Sequence, residues 1–164
     1  MTTDTHTLLI EQLTYSQWAN GRLIEVLSKV DAPPPAALRL IAHIAAAESV
    51  WIQRIQGGTS PEPLWPAMPI NECVDRFLIN STQLQQLVDD DSLHETVRYQ
   101  NSRGELFENT VGEILSQLYF HGIHHRGQIS AALRAAGIEP PPLDFIFAVR
   151  NGLIARAAAS HPKQ

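Results

Sequence analysis

The sequence predicts an all-α fold, a four-helix bundle with an extra short C-terminal helix. Three observations carry this. Apolar residues recur with a period near 3.6 along four long stretches. Prolines and glycines separate those stretches rather than interrupt them. Strand-like alternation shows only once, between the third stretch and the fourth. The chain has 164 residues, 44% hydrophobic and 18% charged. That is enough for one domain over 1–164 to bury a core without cross-links.

The first helix is expected over about 7–30. Leu8, Tyr15, Arg22 and Val26 share a face with Trp18, and Pro33, Pro34 and Pro35 end it by removing backbone donors. The second runs over about 35–56, with Leu40, Ile44, Ala47, Trp51 and Ile55 inward, and closes at Gly57-Gly58. A loop rich in Pro, Gly and Trp follows to about Pro69. The third helix covers about 71–88, with Cys73, Phe77, Leu84 and Leu87 inward. Asp89, Asp90 and Asp91 stop it, because acidic groups oppose the negative end of a helix dipole.

Between 94 and 109, Val97 and Tyr99 alternate with polar residues and Asn101-Ser102-Arg103-Gly104 reads as a turn. A small β-hairpin fits this pattern, with a plain long loop as its alternative. The fourth helix, about 110–136, is the longest, and Gly137 suits its C-cap. After Pro140-Pro141-Pro142, a short final helix is expected over 144–158, and the tail 159–164 is expected to fray. Two long connections leave the helix directions open.

Composition excludes several classes. Acidic residues number 17 and basic residues 12, for a net charge of −5, the opposite of a phosphate-binding balance, so no nucleic-acid partner is expected. The single cysteine, Cys73, makes no intramolecular disulfide and no Cys-based zinc cluster. Asp4, Glu11 and Glu25 break the first thirty residues, so no signal peptide is expected. No stretch reaches the ~20 apolar residues of a membrane span. The expected location is cytoplasmic.

Histidine is the anomaly: there are seven, three of them within residues 121–125. At about 100° per residue, His125 lies about 40° from His121, Gln128 about −20° and His124 about −60°. Ile114, Leu118, Ile129 and Leu133 fall on the same side, so His125 points into the apolar face and His121 borders it. An i, i+4 pair can place two imidazoles on one metal ion. Of the other histidines, only His43 sits on a long helix away from the termini and the hairpin, again at the edge of an inward face. A lone core histidine is usually just hydrogen-bonded. A pair facing a third histidine across a bundle is how such folds build metal sites. Three imidazoles leave a position open for water or substrate, and zinc, nickel, iron or manganese would accept them.

These residues resemble the DinB family of DinB/YfiT-like proteins. Tyr15-Ser-Gln-Trp18-Ala-Asn20-Gly-Arg22 is similar to its first-helix pattern. His43, Trp51 and Arg54 fit its second helix, His121 with His124-His125-Arg126-Gly127-Gln128 its hallmark segment, and Gly137, Pro140-Pro141 and Asp144-Phe145 its ending. The resemblance implies a bundle of four long helices, often a homodimer, with His43, His121 and His125 as metal ligands and zinc or nickel as the usual ion. Many members carry a further histidine where this chain has Gln117. That residue is suited to orienting a ligand and is a poor metal ligand itself. By the same resemblance His124 supports the site or packs.

An open three-histidine metal lowers the pKa of a bound water or favours a thiolate. Relatives implied by the resemblance include transferases and isomerases dependent on low-molecular-weight thiols. Glu48 lies about 140° from His43 and Glu113 about 80° from His121, so neither carboxylate is placed as a hydrolytic base. Thiol-dependent S-transfer to a small-molecule substrate is therefore favoured over a metal-dependent hydrolase. A non-catalytic, metal-stabilised stress-response dimer is the reading from another class. Arg22, Arg54 and Arg126 are candidates for a positive rim, with surface or packing roles as the alternative. Trp18 and Trp51 read as core, with a pocket wall as the alternative, Tyr119 and Phe120 as packing or dimer contacts, and Cys73 as no nucleophile.

Overall fold

Thr110 and Glu113 show how locally the longest element is specified. In a computed structural model covering residues 5–59, 63–88, 92–101 and 103–154, the Thr110 hydroxyl accepts from the Glu113 amide while the Glu113 carboxylate accepts from the Thr110 amide. This capping box starts α4, Val111–Ala135. At its other end the Ile138 amide donates to the Leu133 carbonyl and the Gly137 amide to that of Arg134, the expected glycine cap. Before it come α1 (Thr5–Ser28), α2 (Pro35–Ile55) and α3 (Ile70–Leu87), and after it α5 (Phe145–Arg150). Proline at the first position of α2 is tolerated because that amide would have no helical partner. Strands β1 (Thr96–Gln100) and β2 (Leu106–Thr110) pair antiparallel, so the hairpin reading holds over the plain loop.

The core residues fix the helix directions. One end of the bundle gathers Leu9 and Leu13 of α1, Ile52 of α2, Leu84 of α3 and Leu115 of α4. The other gathers Leu23 and Leu27, Ile41, Cys73, and Ile129 with Leu133. So α1 and α4 run one way and α2 and α3 the other. Each of α1 and α2 packs against both α3 and α4 and lies across the diagonal from the other. Because α2 and α3 are parallel, the chain between them must return along the bundle, a distance of roughly 30 Å for a helix as long as α2.

Three expectations are corrected. The inward face of α1 carries Leu9, Leu13, Ala19, Leu23 and Leu27, while Leu8 is exposed and Arg22 pairs with Glu25 at the surface. This helix packs against two partners, so it buries a broad arc that includes Ser16 and Asn20. The last helix is shorter than predicted. Gly152, at φ +73°, terminates it, with the Leu153 amide donating back to Ala148. Third, α2 is long and apolar enough to cross a membrane, with a mean hydropathy of 1.2 over its best window. Ile41 through Ala47 are all buried by the surrounding helices, which marks it as the core helix of the bundle. The expected stop at Asp89–Asp91 and the tail 159–164 lie outside the described residues.

Candidate metal centre

The buried run of α2 carries His43, only 6% exposed. The chain returning from α2 to α3 passes this point and dresses it. His43 Nδ1 donates to the Leu64 carbonyl at 2.6 Å. The Trp65 indole stacks on the imidazole, centroids 3.6 Å apart and 5° from parallel. Arg39, one turn earlier on α2, holds its guanidinium 4.8 Å from the Trp65 ring. A carbonyl only accepts, so Nδ1 carries the proton and Nε2 the free lone pair.

That Nε2 meets α4. It lies 3.1 Å from His121 Nε2, and the His43 ring centroid is 4.9 Å from that of His121 and 4.7 Å from that of His125. His121 and His125, one turn apart, have centroids 4.4 Å apart. Each of the three offers one nitrogen, and these nitrogens all lie within 4.8 Å of one another. The three predicted residues are thus brought together, and the cluster could hold one metal ion.

The donor set fits an ion. His125 Nδ1 bonds to the Gln128 side-chain oxygen at 2.8 Å, and the Gln128 amide nitrogen bonds to His124 Nε2 at 3.1 Å. His43 and His125 therefore both have Nδ1 tied to an oxygen, the outer support that fixes ring orientation in metal sites. Protons compete little. Burial, then the neighbouring His125 and His43, push His121 down to about 4. Burial also lowers His43, against the opposing pull of the Leu64 carbonyl. Neutral imidazole is the ligating form. The helical wheel places His125 deeper than His121, whereas in the structure both are half-buried.

The remaining candidates fall elsewhere. Arg126 forms no rim: it is 2% exposed, donates to Asn20 Oδ1 at 3.1 Å and lies over the Tyr15 ring. Gly122 makes room for it, since a Cβ there would sit 2.7 Å from Arg126 Nη1. Arg22 is a surface ion pair, and Arg54 stacks over Trp51 and Tyr99. Gln117 is exposed and lines a cleft with His94, Thr110 and Phe120 that none of His43, His121 and His125 lines. Glu48 accepts from Asn80 and Asn20, and burial pushes its carboxyl up to about 7. Glu113 is spent on the capping box. Cys73 is buried with its thiol pushed up to about 11, so it is no nucleophile. Trp18 and Tyr119 pack around Tyr15, while Phe120 is 62% exposed.

Sequence reasoning missed Leu64, Trp65 and the role of Gln128. Gln128 was visible on the histidine face of the helical wheel. Leu64 and Trp65 had no comparable signal, because a backbone carbonyl and a loop tryptophan reach His43 only through the direction of the crossover.

In comparison with known proteins, the family model described as the DinB family matches residues 1–152. The protein named Protein DinB from Bacillus subtilis (strain 168) is 26% identical over 150 residues, spanning 80% of this chain and 87% of its own length.

Proposed function

The chain belongs to the DinB family, and on that footing we propose that His43, His121 and His125 together bind one divalent metal ion in a metal-dependent enzyme that transfers a low-molecular-weight thiol. The observation carrying this reading is the convergence of three imidazole nitrogens within 4.8 Å, two of the rings being oriented through Nδ1. Three protein ligands leave an open position, the mark of a reactive site as opposed to a closed structural one. When bound, the ion supplies Lewis acidity that lowers the pKa of a thiol or water at that position. Zinc and nickel are the leading ions, with iron and manganese compatible with the same ligands.

The chain's own residues orient and shield. Leu64 and Gln128 fix two rings, and Trp65 covers one face of His43. In the transfer, the thiol sulfur bonds to an electrophilic carbon, the leaving group departs with its electron pair, and the thiol proton passes to solvent. Among the described residues, the two carboxylates weighed as hydrolytic bases, Glu48 and Glu113, are both engaged elsewhere, which supports this over a hydrolase. The reading includes a homodimer in the cytoplasm, to which the exposed Phe120 and Ile123 on α4 would contribute apolar surface.

Elemental analysis of the purified chain, followed by a screen of small thiols against electrophiles, tests the reading. One metal per chain with thiol-dependent turnover is expected. A metal-loaded protein without turnover, melting far lower after chelation, would establish the non-catalytic stabilising role instead.

A further inference from the structure

A cavity of about 320 Å³ lies between α1 and α3, and none of the three histidines lines it. Leu13, Ile24, Phe77 and Leu84 make its wall apolar. Its polar end is formed by Glu48 and Asn20, with Ser16 and Gln17 beside them. Ser16 is 8% exposed, and its buried Oγ has no hydrogen-bond partner; neither has the buried amide nitrogen of Gln17. Unsatisfied buried polar atoms cost stability, and here two of them belong to neighbouring residues that line one cavity, lying just beneath its surface. We propose that this cavity binds a small aliphatic alcohol, its chain among Leu13, Ile24, Phe77 and Leu84 and its hydroxyl against Glu48, Ser16 and Gln17.

The polar end selects the head group. A cationic head is opposed by Arg126, whose buried charge acts on Glu48 and whose Nε and Nη2 have no partner. A carboxylate would face the Glu48 carboxyl. A hydroxyl both donates and accepts, so it complements Glu48 charged or neutral and can also accept from Gln17. Both forms of Glu48 are populated near neutrality, because burial outweighs its bonds to Asn80 and Asn20. For size, water occupies about 30 Å³ per molecule in the liquid. The cavity thus has room for about ten such groups, and an eight-carbon alcohol fits.

The test titrates 1-octanol into the full chain by calorimetry, with octanoate and octylammonium as controls. Gly21 lines the cavity, and a Cβ there meets nothing within 4 Å. Gly21→Leu therefore fills the space while improving helix propensity. Saturable octanol binding is expected, at least tenfold tighter than either charged control. It should be at least tenfold weaker in Gly21→Leu, about fivefold weaker in Ser16→Ala, and unchanged by chelation, with Gly21→Leu melting no lower than the parent. Equal binding by Gly21→Leu and parent, equal binding of octylammonium, or loss of binding on chelation would each overturn the proposal. So would absence of octanol binding together with a changed oligomeric state in Gly21→Leu, which would assign this face to a second copy of the chain.

Discussion

The imidazole of His43 and the indole of Trp65 lie parallel, 3.6 Å apart, though they come from different elements of the fold. Trp65 is brought there by the chain that must run back along the bundle between two parallel helices. Its stack holds the His43 ring while the Leu64 carbonyl fixes the tautomer. Aromatic contacts of this kind contribute about 0.5–1.5 kcal/mol. Trp65→Ala should weaken metal affinity by about three- to tenfold with little loss of helicity, as measured by competition with a chromogenic chelator.

Substitution of the histidines orders their roles. His43→Ala, His121→Ala and His125→Ala should each reduce bound metal at least tenfold in elemental analysis after dialysis. His124→Ala, which removes a partner of Gln128 and an edge contact to the His125 ring but none of the three clustered nitrogens, should retain most of it. Parent-level metal in the His43 variant would exclude the three-ligand site.

Gln128 holds His125 through its Nδ1. Losing such outer support typically costs 10–100-fold in metal affinity. Gln128→Leu should show a loss in that range without changing metal stoichiometry at saturation. An unchanged dissociation constant would leave Gln128 with no part in the site.

Glu48 predicts a pH dependence. Its folded value of about 7 lies above the ordinary 4.5, so between those pH values the folded chain keeps a proton that the unfolded chain has lost. The contribution is complete below about 4.5 and is lost as pH rises through about 7, amounting to about 3 kcal/mol at most. His121, whose folded value is depressed, acts in the opposite sense between about 4 and 6.5. The diagnostic is therefore the difference in urea midpoints between parent and Glu48→Gln. The parent's relative advantage should shrink from pH 5 to pH 8.

Gly122 gives a stability prediction. A methyl group there would meet Arg126 Nη1 at 2.7 Å and displace the guanidinium that bonds Asn20. Gly122→Ala should cost about 1–3 kcal/mol in chemical denaturation, although alanine is the better helix former.

The sequence was most legible where local chemistry decides the outcome. The start of α4 near Thr110 and the glycine cap at 137 stand where the sequence puts them, and the capping box of Thr110 and Glu113 shows how locally that start is held. His121 and His125 were legible because one helix fixes their relative position. His43 could be joined to them only by elimination and resemblance, yet the bundle brings it to 3.1 Å from His121. The inward face of α1 was misread because two packing partners broaden its buried arc and blur the period. For Arg126 the sequence leaves rim and packing roles open, and the packing role holds, because an arginine's burial depends on neighbours such as Asn20 and Tyr15, distant in sequence.

The nitrogens of His43 and His121 meet across a sequence separation of 78 residues. Closing so long a loop is entropically costly and slow compared with forming any one helix. The pair therefore exists only after α2 and α4 have docked, and an ion needing both nitrogens finds no template in the early collapsed chain. Such an ion acts after the folding barrier. Added metal should leave the refolding rate unchanged and slow unfolding, so that its presence is registered in the lifetime of the native state.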